Sequence, residues 1–220
     1  MNLKDTIQVY SDGSGYKGQI GVAAVLFREG KTPRTLQYHL GTENEHTVFE
    51  AEQVGLTLAA RLIATEQDLT FPLSISVDNQ ASIRSGESFQ SCPGSYLADC
   101  FRRMMQRVAK DHNNFDITVR WVPGHSDVHG NEEADKHAKL AAENRQNNSS
   151  RQKLPHYLRH GALPLSISAL KEVHHKDMHA AVHVIPSSTH WVIRPHPFPS
   201  SCPTLMPLHT WFNSSTPLVE

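Results

Sequence analysis

Cysteine is scarce in this chain of 220 residues: Cys92, Cys100 and Cys202 are all it has, and no two form a C-x-x-C pair. That excludes a disulfide scaffold and a thiolate zinc site. No run approaches the roughly 18 consecutive apolar residues of a membrane span. The opening MNLKDTIQVYSDGSG lacks both the apolar stretch of a secretory leader and the arginine pattern of a transit segment. The chain therefore reads as intracellular, cytoplasmic or nuclear, with reduced thiols and no membrane role. An excess of one charge is missing too. A formal net charge of −1 excludes a protein that holds nucleic acid by charge alone.

What charge there is lies unevenly. Residues 1–150 carry 15 Lys and Arg against 19 Asp and Glu, whereas the last 70 carry six against three. Those 70 residues also hold nine of the 13 prolines and nine of the 15 histidines but a single glycine, Gly161. The shift falls in the polar stretch from Asn144 to Ser150, which places a domain over residues 1–145 and a Pro/His-rich tail over 146–220. One helix fits the tail near 165–181. From Pro186 onward prolines recur too often for either period, so disorder is expected there. Truncation after about Asn148 is accordingly expected to leave the domain intact.

Within the domain, Ile7 to Ser11, Gly21 to Phe27 and Thr35 to Leu40 read as three strands of an antiparallel meander. The glycine-rich Asp12-Gly13-Ser14-Gly15 separates the first two. From Thr47 to about Glu66 the period changes to 3.6, with Val48, Gly55, Leu56, Ala59 and Ile63 on one stripe. A strand at Leu73 to Val77, a helix at Leu97 to Lys110, a strand at Ile117 to Val122 and a helix at Asn131 to Glu143 follow. The class is α/β, with a mixed sheet flanked by helices.

The acids fall in telling places. Asp12 follows the first strand and Asp78 the fourth. If those strands are parallel neighbours, the two carboxylates sit about 4.8 Å apart at strand ends. Acids that close repel unless a cation lies between them. At 100° per residue Glu52 lies in the middle of the apolar stripe and Glu50 almost opposite. Glu50 has a structural explanation, because Thr47-Val48-Phe49-Glu50 fits a capping box. Glu52, an inward acid among small apolar residues, has none. In the last helix Asp135 shares a face with Ala138 and Ala142 behind Asn131 as N-cap, and Glu132 reads as a first-turn acid favoured by the dipole. Four inward carboxylates without thiolates select hard ions, Mg²⁺ or Mn²⁺. The set suits phosphoryl chemistry with two ions about 3.5 to 4 Å apart.

The order Ser11-Asp12-Gly13-Ser14, Ala51-Glu52, Val77-Asp78-Asn79-Gln80, Trp121-Val122-Pro123-Gly124-His125 and Gly130-Asn131-Glu132-Glu133-Ala134-Asp135 resembles the ribonuclease H domain. The last two motifs look most like the version carried by fungal non-LTR retrotransposon polyproteins. The resemblance covers roughly residues 5–145. It implies a five-stranded mixed sheet and an endonuclease that cuts the RNA strand of RNA/DNA hybrids, leaving 3′-hydroxyl and 5′-phosphate ends. By position it makes Asp12, Glu52, Asp78 and Asp135 the metal-binding acids and His125 the loop histidine that moves protons or aids product release. It puts Asn79 and Gln80 beside the hybrid's minor groove, with the backbone of Gly13 and Ser14 near the same strand. A reverse transcriptase domain in a parent polyprotein is the implied partner, and this chain opens immediately before the first strand.

One departure concerns grip. Where some family members insert a basic helix, Ser85 to Gly94 has no Lys or Arg, so affinity for free hybrid should be low. The competing reading is a catalytically silent ribonuclease H-like binding module or retroelement fragment. Integrases, resolvases and proofreading exonucleases share the core, but the Gly124-His125 to Asp135 motif and Asp78-Asn79-Gln80 favour ribonuclease H over them. The helical-wheel argument makes a direct prediction: Glu52→Gln removes hybrid cleavage, whereas Glu50→Gln costs mainly cap stability, about 0.5–2 kcal/mol. Paired cleavage assays and denaturant titrations check it, and the reverse pattern would show that the helix register is wrong.

Overall fold

Short turns join β1 (Ile7–Tyr16), β2 (Gln19–Arg28) and β3 (Arg34–Thr42) into an antiparallel meander in a computed structural model that describes residues 7–87, 94–124 and 128–183. Lys17 and Gly18 take φ of 50° and 72° in the first turn, the two-residue geometry that matches strand twist. β1 does not stop at Ser11, as its composition suggests: Asp12, Gly13, Ser14 and Gly15 each pair with a β2 residue. Glycine serves packing there rather than a loop. A Cβ on Gly13 would stand 2.6 Å from the backbone nitrogen of Glu52, so the following helix lies directly on the strand.

That helix, α1 (Val48–Ala64), starts at Thr47, whose hydroxyl accepts the Glu50 N–H at 3.2 Å while the Glu50 carboxylate accepts the Thr47 N–H at 2.9 Å. It leads to β4 (Leu73–Val77), which pairs in parallel with β1, and β5 (Ile117–Trp121) pairs in parallel with β4. The order β3-β2-β1-β4-β5 is a five-stranded mixed sheet flanked by helices. α3 (Ser95–Asp111) packs on the far side of α1, so α1 is buried all round rather than along one stripe. α4 (His129–Glu143) covers the opposite sheet face with Ala134, Ala138, Ala141 and Ala142, all fully buried. Its backbone rests on Gly21, where a Cβ would lie 2.2 Å from the Ala138 carbonyl oxygen.

The short α2 (Gln80–Glu87) has no counterpart in the periodicity, because its eight residues are mostly polar. Asn79 starts it, accepting the N–H groups of Ala81 and Ser82 at 2.9 and 3.2 Å. Asn131 is not the cap of α4. Val128 precedes the first turn, and Asn131 lies inside the helix.

Packed structure continues past the boundary expected at 145, which bears on the expected indifference to truncation. The compact unit continues through His183. Ser149 donates its N–H to the Gln37 carbonyl at 2.9 Å, its hydroxyl accepts the Gln37 N–H at 3.0 Å, and Asn148 Oδ1 accepts the His39 N–H at 2.7 Å. Residues 147–149 thus cover the open edge of β3. Beyond them Leu154, Leu158 and Leu163 join the main core at 2, 3 and 7 % exposure. Arg61 of α1 donates to the Lys153 carbonyl at 3.0 Å, and Ser166 donates its N–H to the Glu45 carbonyl at 2.8 Å. Composition hid this strap because its leucines need no period of their own; each fills a cleft that the sheet and α1 already provide. α5 (Ile167–His183) follows. The expected disorder from Pro186 onward lies outside the described residues. Cutting after Asn148 should therefore lower the melting temperature markedly. Leu158→Ala alone should cost about 2–5 kcal/mol in denaturant titration, and an unchanged midpoint would show the strap to be loosely held.

Candidate active site

Two parallel neighbours bring their acids to one end of the sheet. Tyr10 of β1 pairs with Ser76 of β4, so two residues further on Asp12 is level with Asp78, the residue after β4. The end of β4 is fixed from the β5 side. Trp121 donates its indole N–H to the Asp78 carbonyl at 3.0 Å, and Val122 donates to the Val77 carbonyl at 2.9 Å. From the other face, the close approach at Gly13 delivers Glu52. Carboxylate oxygens of Asp12, Glu52 and Asp78 all lie within 4.8 Å of one another. Asp12 is 6 % exposed and Glu52 4 %.

Asp135 lines the same cavity, about 210 Å³ in volume, together with Gly13, Ser14, Asn131 and Glu132. It is not one of the tight trio. Its Oδ2 accepts from the Lys139 ammonium at 2.7 Å, one helical turn on. Asn79 and Gln80 stand beside Asp78 at the start of α2, Asn79 with its side-chain oxygen committed to the helix cap and Gln80 exposed. Glu50 is elsewhere. Burial pushes its carboxyl up, but hydrogen bonds from His46, the Thr47 N–H and Ser166 outweigh that and hold it below its ordinary value. His125 lies outside the described residues. Gly124, just before it, runs so close to Asp78 that a Cβ would stand 3.2 Å from Oδ2.

Electrostatics makes this pocket unusual. Burial, followed by repulsion from Asp78 and Asp135, pushes the Asp12 carboxyl up to about 7. Burial, then Asp12 and Asp78, pushes Glu52 up to about 9. Two acceptor oxygens in the site, Glu52 Oε2 and Asn131 Oδ1, are buried with no hydrogen-bond partner. Buried acceptors are normally satisfied. Orphaned acceptors beside crowded carboxylates fit a cation, and a trio offering only oxygen fits a hard divalent ion.

Three contributors escape the sequence reading. Asn131 hides behind its reputation as a capping residue, although it sits four before Asp135 and so shares its face. Lys139, four after Asp135, carried a readable ion-pair spacing. Trp121 acts through a contact from the neighbouring strand, which no local pattern reveals.

The sequence model of the RNase H family matches residues 4–143. Among curated proteins none matches this chain. Solved structures that resemble it include RNase H1 from the halophilic archaeon Halobacterium salinarum, 20 % identical, covering 62 % of this chain and 97 % of that one at a TM-score of 0.46. LC11-RNase H1, a compost metagenome protein solved with an RNA/DNA hybrid, is 14 % identical over 63 % of this chain and 99 % of its own, with a TM-score of 0.46. The protease-reverse transcriptase of prototype foamy virus is 17 % identical over 63 % of this chain and 21 % of its own, with a TM-score of 0.47.

The raised acids make a pH prediction. Both hold protons in the folded state that the unfolded chain has lost, so without a divalent ion stability falls as pH rises from about 4 to about 9. Millimolar Mg²⁺ should raise the melting temperature more at pH 9 than at pH 6, and Glu52→Gln in EDTA should flatten the pH dependence. Thermal scans across pH check this; a Mg²⁺ effect of equal size at both pH values would contradict it.

Proposed function

The chain belongs to the RNase H family and is a ribonuclease H enzyme, and from that premise we propose that its acidic pocket hydrolyses the RNA strand of an RNA/DNA hybrid, with Asp12, Glu52, Asp78 and Asp135 holding two divalent cations. The carrying observation is the trio of carboxylates within 4.8 Å of one another, with one buried oxygen of Glu52 unpartnered. Mg²⁺ is the ion that oxygen donors favour, and Mn²⁺ can replace it. Held there, such ions supply Lewis acidity toward the attacking water and the departing oxygen of a phosphodiester.

The chain's own groups do the positioning. Asp12 and Asp78 stand level on neighbouring strands, and Glu52 closes the pocket from α1. Lys139 fixes the Asp135 carboxylate at the rim. Gly13 and Ser14 line the cavity, so a bound strand meets the backbone of β1. Because the side-chain oxygen of Asn79 caps α2, its amide nitrogen is the group left to donate to a 2′-hydroxyl, with Gln80 beside it. His125 moves protons near neutral pH; that assignment rests on the motif Gly124-His125 ahead of Gly130 to Asp135. The wording of the same motifs supports a reverse transcriptase domain in a parent polyprotein as partner.

Labelled RNA/DNA hybrid, double-stranded DNA and single-stranded RNA, each incubated with the protein and Mg²⁺, test the reading. Only the hybrid should be cut, to 3′-hydroxyl and 5′-phosphate ends. Asp12→Asn and Asp78→Asn should each slow cutting by more than about a hundredfold while the protein stays folded. Undiminished cutting in excess EDTA would overturn the proposal.

A further inference from the structure

Positive charge collects where the strap meets β3. Arg145, Arg151 and Arg159 line a cavity of about 370 Å³ whose wall includes Tyr38 and His39 of β3, and no carboxylate is among the described residues that line it. Beside it, Arg61 Nη2 and Arg159 Nη2 reach the same carbonyl oxygen, that of Gln152, at 3.4 and 3.0 Å. Two guanidiniums thus converge on one neutral acceptor. Burial, then the positive charges of Arg159 and Arg34, holds Arg61 below its ordinary value.

Two acids on this side of the molecule are taken. Glu66 is shared by Arg28, Lys31 and Arg34. Glu45 feels Arg145, but its carboxylate accepts the Thr42 N–H and hydroxyl at 2.9 and 3.1 Å. Arg145 and Arg151 are exposed, and both act on the Tyr38 hydroxyl. A group of guanidinium forks facing one cavity without a carboxylate suits phosphate oxygens.

The register relates this cavity to the acids. Asp12 pairs with Ala23, and Ala23 with Gln37; the strap residue Ser149 bonds Gln37 from outside. Three lateral steps of about 4.8 Å put the strap about 14 Å from β1. At about 3.4 Å per nucleotide along a strand, that is about four nucleotides. α4 joins the two places, carrying Asp135 at its middle and running into Arg145 just past its C-terminal end.

We propose that the strap cavity binds the phosphodiester backbone of a nucleic-acid strand, gripping the part of the hybrid that extends past the acid pocket. The proposal rests on the hybrid-nuclease reading of that pocket. It gives the chain a grip that the segment Ser85 to Gly94, without Lys or Arg, does not, and it assigns a function to the basic residues after α4.

The test uses the full chain carrying Asp12→Asn, so that hybrid is bound but not cut, with affinity followed by fluorescence anisotropy from ~50 to ~300 mM salt. Adding Arg145→Gln and Arg151→Gln should weaken hybrid binding at least about tenfold at ~0.1 M salt and reduce the slope of log K against log salt by about 1.8. Each single variant should remove about half of that slope, so a folding defect in the double variant does not hide the effect. Arg145→Lys with Arg151→Lys should retain the slope, and Lys176→Gln, the same charge change on α5, should leave it unaltered. Double-stranded DNA should show the same drop, because backbone carries the contact. Hybrid binding with an unchanged slope in the Gln variants overturns this inference alone; failure of the Asp12→Asn parent to bind hybrid overturns the nuclease reading with it.

Discussion

Crowding of three carboxyl groups, those of Asp12 and Glu52 buried and that of Asp78 half-buried, is what the rest of this structure has to overcome. Asp12, Glu52 and Asp78 would separate if free to do so, and three features prevent it. The parallel pairing of β1 with β4 fixes the first and last side by side. The missing Cβ at Gly13 lets α1 press Glu52 down onto β1. Trp121 ties the Asp78 backbone from the next strand. Each element is in turn held by ordinary apolar burial, α1 between the sheet and α3, α4 by its alanines on Gly21. The fold's stability is thus what makes a chemically unfavourable arrangement persist, as is usual where function and stability compete.

Much of this was readable in the chain, and what was not has physical causes. The strands, the three long helices α1, α3 and α4 and the choice of Glu52 as the acid facing the sheet follow from period and register, because each is set by residues a few positions apart. The continuation of β1 through Asp12-Gly13-Ser14-Gly15 was not readable: glycine signals a loop locally, and only a helix from 40 residues later explains it as room for a backbone. α2 is too short and polar to show a period. The strap was misread for a related reason, since Leu154, Leu158 and Leu163 fill a cleft made by others and leave no pattern of their own. Asn131 looked like a cap because asparagine usually is one before a helix; its place inside α4 gave it to the acid pocket instead.

Charge is distributed along the same logic. The acid pocket gathers carboxyl groups at one end of the sheet, and the strap brings arginines to the edge of β3 past the C-terminal end of α4. A net charge near zero conceals both. The two regions share one helix and one sheet, so their separation is set by strand spacing and helix rise rather than by a flexible connection.

We infer that the trio holds divalent cations, and calorimetry of Mn²⁺ or Mg²⁺ binding reads this out. With Glu52 held near 9 and Asp12 near 7, cation binding at pH 7.5 must displace about one proton. Titrations in buffers of different ionisation enthalpy should therefore give heats that vary with the buffer, and Glu52→Gln should remove most of that variation, leaving the smaller share carried by Asp12. Binding heats independent of buffer, or binding undiminished in Glu52→Gln, would contradict the account.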